Sequence, residues 1–410
     1  MAYSFIEGII MGTLALNEFV LIKSLKGTNF QIGILFQLSV ILMLFSVLIN
    51  QILKRNRNKQ GLIRKVALLT RLPLLLLLIF PKTPEACVEM PVFQYLFLLI
   101  FLLFYLANPI ILPSINLFLR TNYKGDNFGT LYSYATTLNK VVMLFGTFGF
   151  GLLLDRDPFA YSYVYPILAG LGIISIHLLS QIPFESQTLQ GKEGFMESIR
   201  KSLHNMWQII VKNKPYRDFE LGFMLYGFAW MTTIAVITIF FDRVLNMNYS
   251  TVAFYKNAYN IVAILILPFF GRLIGKIDPR KFAVITFLSL LIFLLFLALT
   301  EYFPQHFMVF GIKIYYSLIL AYLAHAVFAA TMSLLWFIGS AYFAKDQDAA
   351  NYQSVHLTLT GMRGMFAPII GIVFYELFGF TWTFGIAIFS LALAIILMFV
   401  SMKNRNLDKQ

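Results

Sequence analysis

Long apolar runs recur along the whole chain and are broken only by short polar or basic stretches; VILMLFSVLI (40–49) and LSLLIFLLFLAL (288–299) are typical. A bilayer span needs roughly 20 mostly apolar residues. Runs that meet this requirement fall at 2–24, 31–53, 65–80, 92–119, 129–154, 162–182, 219–241, 251–273, 279–300, 309–343, 351–375 and 381–402. The pattern predicts an all-α polytopic membrane protein with 12 transmembrane helices.

One polar stretch is longer than the rest. Residues 183–218 separate a six-helix block (1–182) from a second (219–410). Within it, Phe195, Ile199, Leu203, Met206 and Ile210 recur at helical spacing, with Arg200, Lys201 and Lys212 off that stripe. This suits an amphipathic helix on the membrane surface, or a plain linker helix. The two blocks also align with each other. FGTLYSYATTLNKVVMLFGTFGFG (128–151) overlays DAANYQSVHLTLTGMRGMFAPIIG (348–371) at an offset of 220, so that Tyr132 meets Tyr352 and Gly151 meets Gly371. Basic loops recur at a similar offset, ILKRNRNK (52–59) against LIGKIDPR (273–280). The register and hydropathy, rather than residue identity, predict two six-helix pseudo-repeats, an organisation common in secondary transporters.

Composition agrees: 59% of the 410 residues are hydrophobic and 12% charged. The net charge of +13 would fit a nucleic-acid partner, but its distribution points elsewhere. With the N-terminus taken as inside, the inner segments and the tail hold 22 Lys and Arg, whereas the outer segments hold Lys23, Lys26, Lys82, Arg156 and Arg243. That asymmetry is the positive-inside pattern and places both termini in the cytoplasm. No nucleic acid is expected as a partner. MAYSFIEGII lacks the basic region and cleavage site of a signal peptide, so it reads as the start of the first span. The single cysteine, Cys87, cannot form an internal disulfide.

Twelve spans, a six-plus-six duplication, a cytoplasmic central loop and a basic loop after the second span of each half resemble the major facilitator superfamily. The resemblance covers essentially the whole chain. The superfamily loop motif, G-x-L-x-D-[RK]-x-G-x-[RK], is matched in GRLIGKIDPRK by Gly271, Leu273, Lys276 and Arg280, which the resemblance makes a gating loop. Gly275 replaces the motif's acidic residue and Asp278 its second glycine, so a latch of the family's form is not expected. NQILKRNRNKQ keeps only basic character. The fourth span lacks the arginine of the proton-coupled branches, and the fifth, despite Gly146, Gly149 and Gly151, lacks the pattern of drug antiporters. No subfamily is assigned.

The eleventh expected span carries an arginine, Arg363, at a depth where a charge costs on the order of 3 kcal/mol. Gln353, His356, Thr360 and Arg363 share one helix face. Gly361, Gly364, Pro368 and Gly371 form a second, small-residue stripe that admits a close neighbour, with a proline able to bend the helix. At the offset of 220, Ser133, Thr136, Lys140 and Met143 repeat the polar stripe in the fifth span, displaced by about one turn; Lys256, with Asn260 beyond it, adds a third cation in the eighth. Glu7 and Glu18 lie on one face of the first span. By the resemblance, the first, fourth, seventh and tenth spans line a central cavity flanked by the fifth and eleventh. That makes Glu18 a candidate proton site or ion-pair partner, and nominates Tyr105, Asn108, Tyr226, Trp230, His325 and Trp336 for the cavity wall.

Two roles fit Arg363: a structural ion pair with Glu18, or a substrate or coupling residue. Lys256 is also placed to reach the outer surface, Glu7 to reach cytoplasmic water, and Arg71 and Lys313 to anchor span ends. The histidines, His177, His204, His306, His325 and His356, are dispersed without metal-ligand spacing, so neither metal nor cofactor is expected. GxxxxGK[ST] is missing, which argues against ATP-driven transport, and nothing reads as an activated nucleophile, so an enzyme is not expected. The expectation is a monomeric secondary transporter in the cytoplasmic membrane, moving a small polar solute by alternating access, with protons as candidate coupling ion. The three candidate cations, Lys140, Lys256 and Arg363, against the two carboxylates Glu7 and Glu18 favour an anion weakly, since guanidinium matches carboxylate or phosphate bidentately. Rival readings are a polyspecific exporter of amphipathic compounds or lipids, and a non-transporting sensor on a transporter fold.

Overall fold

A computed structural model describes residues 1–44, 58–111, 126–182, 195–344 and 349–404. Residues 50–57 of the first copy of the loop motif, together with Arg120, Lys124, Lys192, Lys345, Arg405 and Lys409, lie outside the described residues. Lipid offers the backbone no hydrogen-bond partners, so membrane segments must satisfy their own amides, and helices do this. The described residues contain nine helices long and apolar enough to span a membrane, plus a shorter apolar one at Asn29–Leu42. One of the nine, Tyr352–Asn404, contains both the eleventh and twelfth expected spans. The architecture is consistent with the expected twelve.

The chain divides into two compact units, Met1–Phe195 with Asn248–Ala253, and Met196–Met247 with Phe254–Gln410. In the first unit, α1 (Ala2–Leu14) continues irregularly to Ser24. It is followed by α2 (Asn29–Leu44), and by α3 (Lys59–Arg71) running on as a 3-10 helix to Ile79. The short helix α4 (Pro84–Glu89) precedes α5 (Val92–Tyr105), α6 (Asp126–Arg156) and α7 (Tyr161–Leu179). Local sequence sets several starts. Asn58 accepts from the Gly61 amide and Thr83 from the Ala86 amide, the second followed by a proline that has no amide to lose. Glycine brings α1 onto α6: a Cβ on Gly12 would lie 2.5 Å from the Met143 carbonyl oxygen, and one on Gly8 2.7 Å from that of Asn139.

The second unit contains α8 (Phe195–Lys212), the expected amphipathic helix, whose Leu203 and Trp207 are exposed. It continues with α9 (Lys214–Arg243), α10 (Tyr249–Ile274) and α11 (Pro279–Tyr302). Asn213 and Asp278 cap α9 and α11, each with proline in the first turn. Then come β1 (His306–Val309), β2 (Ile312–Tyr315), α12 (Tyr316–Ile338), α13 (Ala349–Gly364) and α14 (Ala367–Asn404). Gly371 repeats the glycine contact, because a Cβ there would sit on the Thr232 carbonyl of α9.

Three expectations need correction. The span expected at 309–343 begins at Tyr316; residues 306–315 form an antiparallel hairpin with His306 opposite Tyr315. Its turn residues, Phe310 (φ 49°) and Gly311 (φ 79°), are both left-handed, the geometry that matches strand twist in a two-residue loop. The span expected at 351–375 is interrupted between Gly364 and Ala367, where Pro368 has no amide to bond one turn back. Arg71, expected as an interface anchor, is buried: its Nη1 donates to the Phe104 carbonyl at 3.1 Å and its guanidinium lies 3.9 Å from the Phe104 ring centre. Lys313 sits on β2 and donates to the Asn246 carbonyl at 2.9 Å.

Candidate functional site

In the second unit the polar stripe of α13 faces α9 and the end of α12. Gln353 accepts from the Ser340 hydroxyl at 2.5 Å and donates to the Trp336 carbonyl at 3.1 Å. One turn on, His356 places Nδ1 3.1 Å from both carboxylate oxygens of Glu220 on α9. The two side chains are 2% and 4% exposed, so this pair is withdrawn from solvent. The ring packs edge-on between Trp336 and Phe223, at 4.7 and 4.8 Å between centres. Nε2 has no hydrogen-bond partner among the described residues.

Thr360 follows, buried, its hydroxyl likewise without a partner among the described residues. Arg363 completes the stripe. Its Nη1 donates to the Phe223 carbonyl, its guanidinium lies 5.5 Å from the Tyr226 ring centre, and its Nε has no partner among the described residues. Gly227 makes the fit possible, since any Cβ there would collide with the guanidinium. Glu220 is close enough to act electrostatically on Arg363.

Two aromatic nominees touch this stripe, Tyr226 at Arg363 and Trp336 at His356. Tyr226 stacks on Phe287 at 5.2 Å, and Trp230 stacks on His325 at 5.5 Å. His325 is enclosed by Tyr259, Phe293, Tyr322 and Phe328 as well, and its Nδ1 has no partner among the described residues. Thus Tyr226, Trp230, His325, Trp336, His356, Thr360 and Arg363 form one continuous arrangement. Lys256 is half-buried on α10, where its carbonyl accepts from Asn260 at 3.1 Å.

The remaining nominees belong to the first unit. Glu18 is buried within electrostatic reach of Tyr105 and Tyr165, and its neighbour Asn17 donates to the Tyr105 hydroxyl at 2.9 Å. Asn108 is half-buried in a helical turn at 108–111. Lys140 is exposed on α6. Glu7 accepts from Ser175 at 2.5 Å.

Within the loop motif, Gly271 and Lys276 are exposed and Leu273 accepts from the Lys276 amide at 2.9 Å. Arg280 is only 1% exposed: it pairs with Asp278 at 2.7 Å and donates to the carbonyl and hydroxyl of Ser401 at 2.9 and 3.0 Å. The motif's last basic residue therefore ties α11 to α14 inside its own unit. Among the described residues there is no metal-binding group of histidines, cysteines and carboxylates.

Two buried groups escape a reading of the sequence. Glu220 lies beside the first residue of its expected span, where a carboxylate reads as an end anchor; its spacing to Phe223 and Gly227 on one helix face was the available signal. Arg71 was masked the same way.

Helices of bilayer length, arranged around buried charge, define a multi-pass membrane protein of transporter fold. The profile of the Major Facilitator Superfamily matches residues 1–344 and 221–409, and the chain belongs to that superfamily. Among curated proteins none matches it significantly. The fold is similar to that of a mutant of the nucleoside transporter NupG, with a TM-score of 0.72 and 14% identity over 99% of this chain and 98% of the other. It is also similar to a mutant peptide transporter POT (0.70, 12% identity, 98% and 93% covered). The inward-open xylose transporter XylE from E. coli gives 0.63 at 13% identity, with 100% and 96% covered.

Proposed function

We propose that the protein is a secondary transporter that carries a small polar solute, with anions preferred, across the cytoplasmic membrane by alternating access. The observation that supports the anion is Arg363: a guanidinium buried to 6% exposure, held by one backbone carbonyl and an aromatic face, with Nε unpartnered among the described residues. A buried cation is retained at membrane depth where it pairs or acts, and a planar guanidinium fork matches a carboxylate or phosphate. Thr360 and the unpartnered nitrogen of His356, on the same helix face, are further polar groups for a solute. Lys140 and Lys256 are secondary candidates, and the Lys and Arg distribution supports cytoplasmic termini. The fold neighbours carry nucleosides, peptides and xylose by name, which supports a small polar solute without choosing among classes.

The test is thermal stability of the purified protein against anions, cations, neutral solutes and lipids, alongside Arg363→Gln. A ligand at a hundredfold excess over its dissociation constant adds about 2.7 kcal/mol. The expected result is an anion-specific shift that a folded Arg363→Gln loses. Shifts from bulky apolar compounds alone, equal in both proteins, would replace this reading with an exporter of amphipathic compounds.

A further inference from the structure

We propose that Glu220 and His356 form a proton-binding site coupled to Arg363, so that a proton and an anion are taken up together. The inference rests on the anionic reading above only for its second half. Its basis is charge balance in a buried space. Glu220 and His356 are 4% and 2% exposed, and both carboxylate oxygens lie 3.1 Å from Nδ1. Arg363 is seven residues beyond His356 on the same helix, about 10 Å along its axis. With Glu220 ionised, His356 neutral and Arg363 charged, the group is neutral. An anion alone leaves it at minus one and a proton alone at plus one, while both together restore neutrality. Uncompensated buried charge is the costly state, so each ligand favours the other.

The geometry favours a proton shared by the pair. Nδ1–H donates to the carboxylate, and Nε2 has no acceptor among the described residues, so a protonated ring would bury an unsatisfied donor. The charged and titratable groups facing it are Tyr216 from α9 and Tyr352 and Arg363 from α13. The end of α12 and the following turn present Trp336, Ser340 and Phe343, none of which titrates. Across about 10 Å at an effective dielectric constant near 20, removing the charge at Arg363 strengthens proton binding on the order of tenfold.

Infrared difference spectroscopy of the full-length protein, titrated from roughly pH 5 to pH 8, reads the carboxylic-acid stretch directly. The expected band is present in the wild type, lost in Glu220→Gln and displaced in His356→Asn; Glu220→Asp serves should the glutamine variant fail to fold. In Arg363→Met the midpoint should rise by about one pH unit, the tenfold change above. Absence of a Glu220-dependent band, or a midpoint indifferent to Arg363→Met, overturns the proposal. Inorganic phosphate and succinate provide the second arm. A midpoint raised by either in the wild type but not in Arg363→Met supports joint uptake. A pair that titrates and responds to Arg363→Met but to neither anion overturns joint uptake of these anions and counts against the anionic substrate, not against the proton site.

Discussion

Arg363→Met separates a structural arginine from a working one, because the two roles predict losses of stability of different size. Arg363 donates to the Phe223 carbonyl and lies over Tyr226. A hydrogen bond from a charged group contributes about 1.5–3 kcal/mol and a desolvated cation–π contact about 1–2 kcal/mol. Electrostatic attraction to Glu220 adds to these. Against these stand the unpartnered Nε, costing about 1–3 kcal/mol, and withdrawal of the guanidinium from water, several kcal/mol more. Methionine fills much of the same volume with a flexible chain that needs no partner. Because an ionised Glu220 also loses its counter-charge, the terms nearly cancel and place the variant within about 2 kcal/mol of the wild type in either direction. At roughly 2–4 °C per kcal/mol, a melting scan of purified protein resolves the upper part of that range, and transport should be lost. A loss of more than about 3 kcal/mol, the size seen when a satisfied buried pair is broken, would refute the reasoning and make Arg363 a helix clamp.

Arg280→Gln should behave differently: its guanidinium is buried, with an ion pair to Asp278 and two bonds to Ser401, so melting should report a loss of about 3 kcal/mol. Gly371→Ala should destabilise by about 3 kcal/mol or more, because the added methyl meets the backbone of Thr232 and only movement of a helix relieves it. Gly385→Ala on the same helix, with open space around it, should stabilise by about 0.5–1 kcal/mol; equal melting shifts for the two would contradict the packing described. Gly379→Ala, at φ 76° and ψ −174° where the last two spans part, should cost about 1–3 kcal/mol in the same scan. Cys87, outside the spans, is 1% exposed and burial raises its thiol above the ordinary value. The reactive thiolate therefore grows in only at more alkaline pH than for a free cysteine, and a charged maleimide at about pH 8 should label the denatured protein but not the native one.

The spans and the polar stripe of α13 were legible because hydropathy and helical periodicity are local. Gln353, His356, Thr360 and Arg363 had to share a face whatever they touched. Their partners were not legible, because an ionisable residue near a span end reads the same whether it reaches water or turns inward. Glu220 turns inward because His356 meets it from another helix, and Arg71 because Gly172 leaves room along its side chain, a Cβ there falling 3.0 Å from Cδ. Residues 309–315 of the hairpin fall in an expected span because they are nearly as apolar as one. The Phe-Gly turn was the local signal that the run reverses.

Arg71 and Arg363 show the two units using one device at positions that the repeat does not relate. Each guanidinium donates through Nη1 to a helix carbonyl, lies over an aromatic ring, packs against a glycine and leaves Nε unpartnered among the described residues. Each also has a carboxylate within electrostatic reach, Glu7 for Arg71 and Glu220 for Arg363. The difference lies in what holds that carboxylate. Glu7 accepts from the hydroxyl of Ser175, which neither gains nor loses a proton across the physiological range. Glu220 faces an imidazole, the side-chain type whose charge changes in that range. An imidazole can share an incoming proton with its carboxylate, which a hydroxyl donor cannot. Proton-linked behaviour should therefore follow His356 and Glu220, and Ser175→Ala should alter the stability of the first unit without moving the pH dependence of transport.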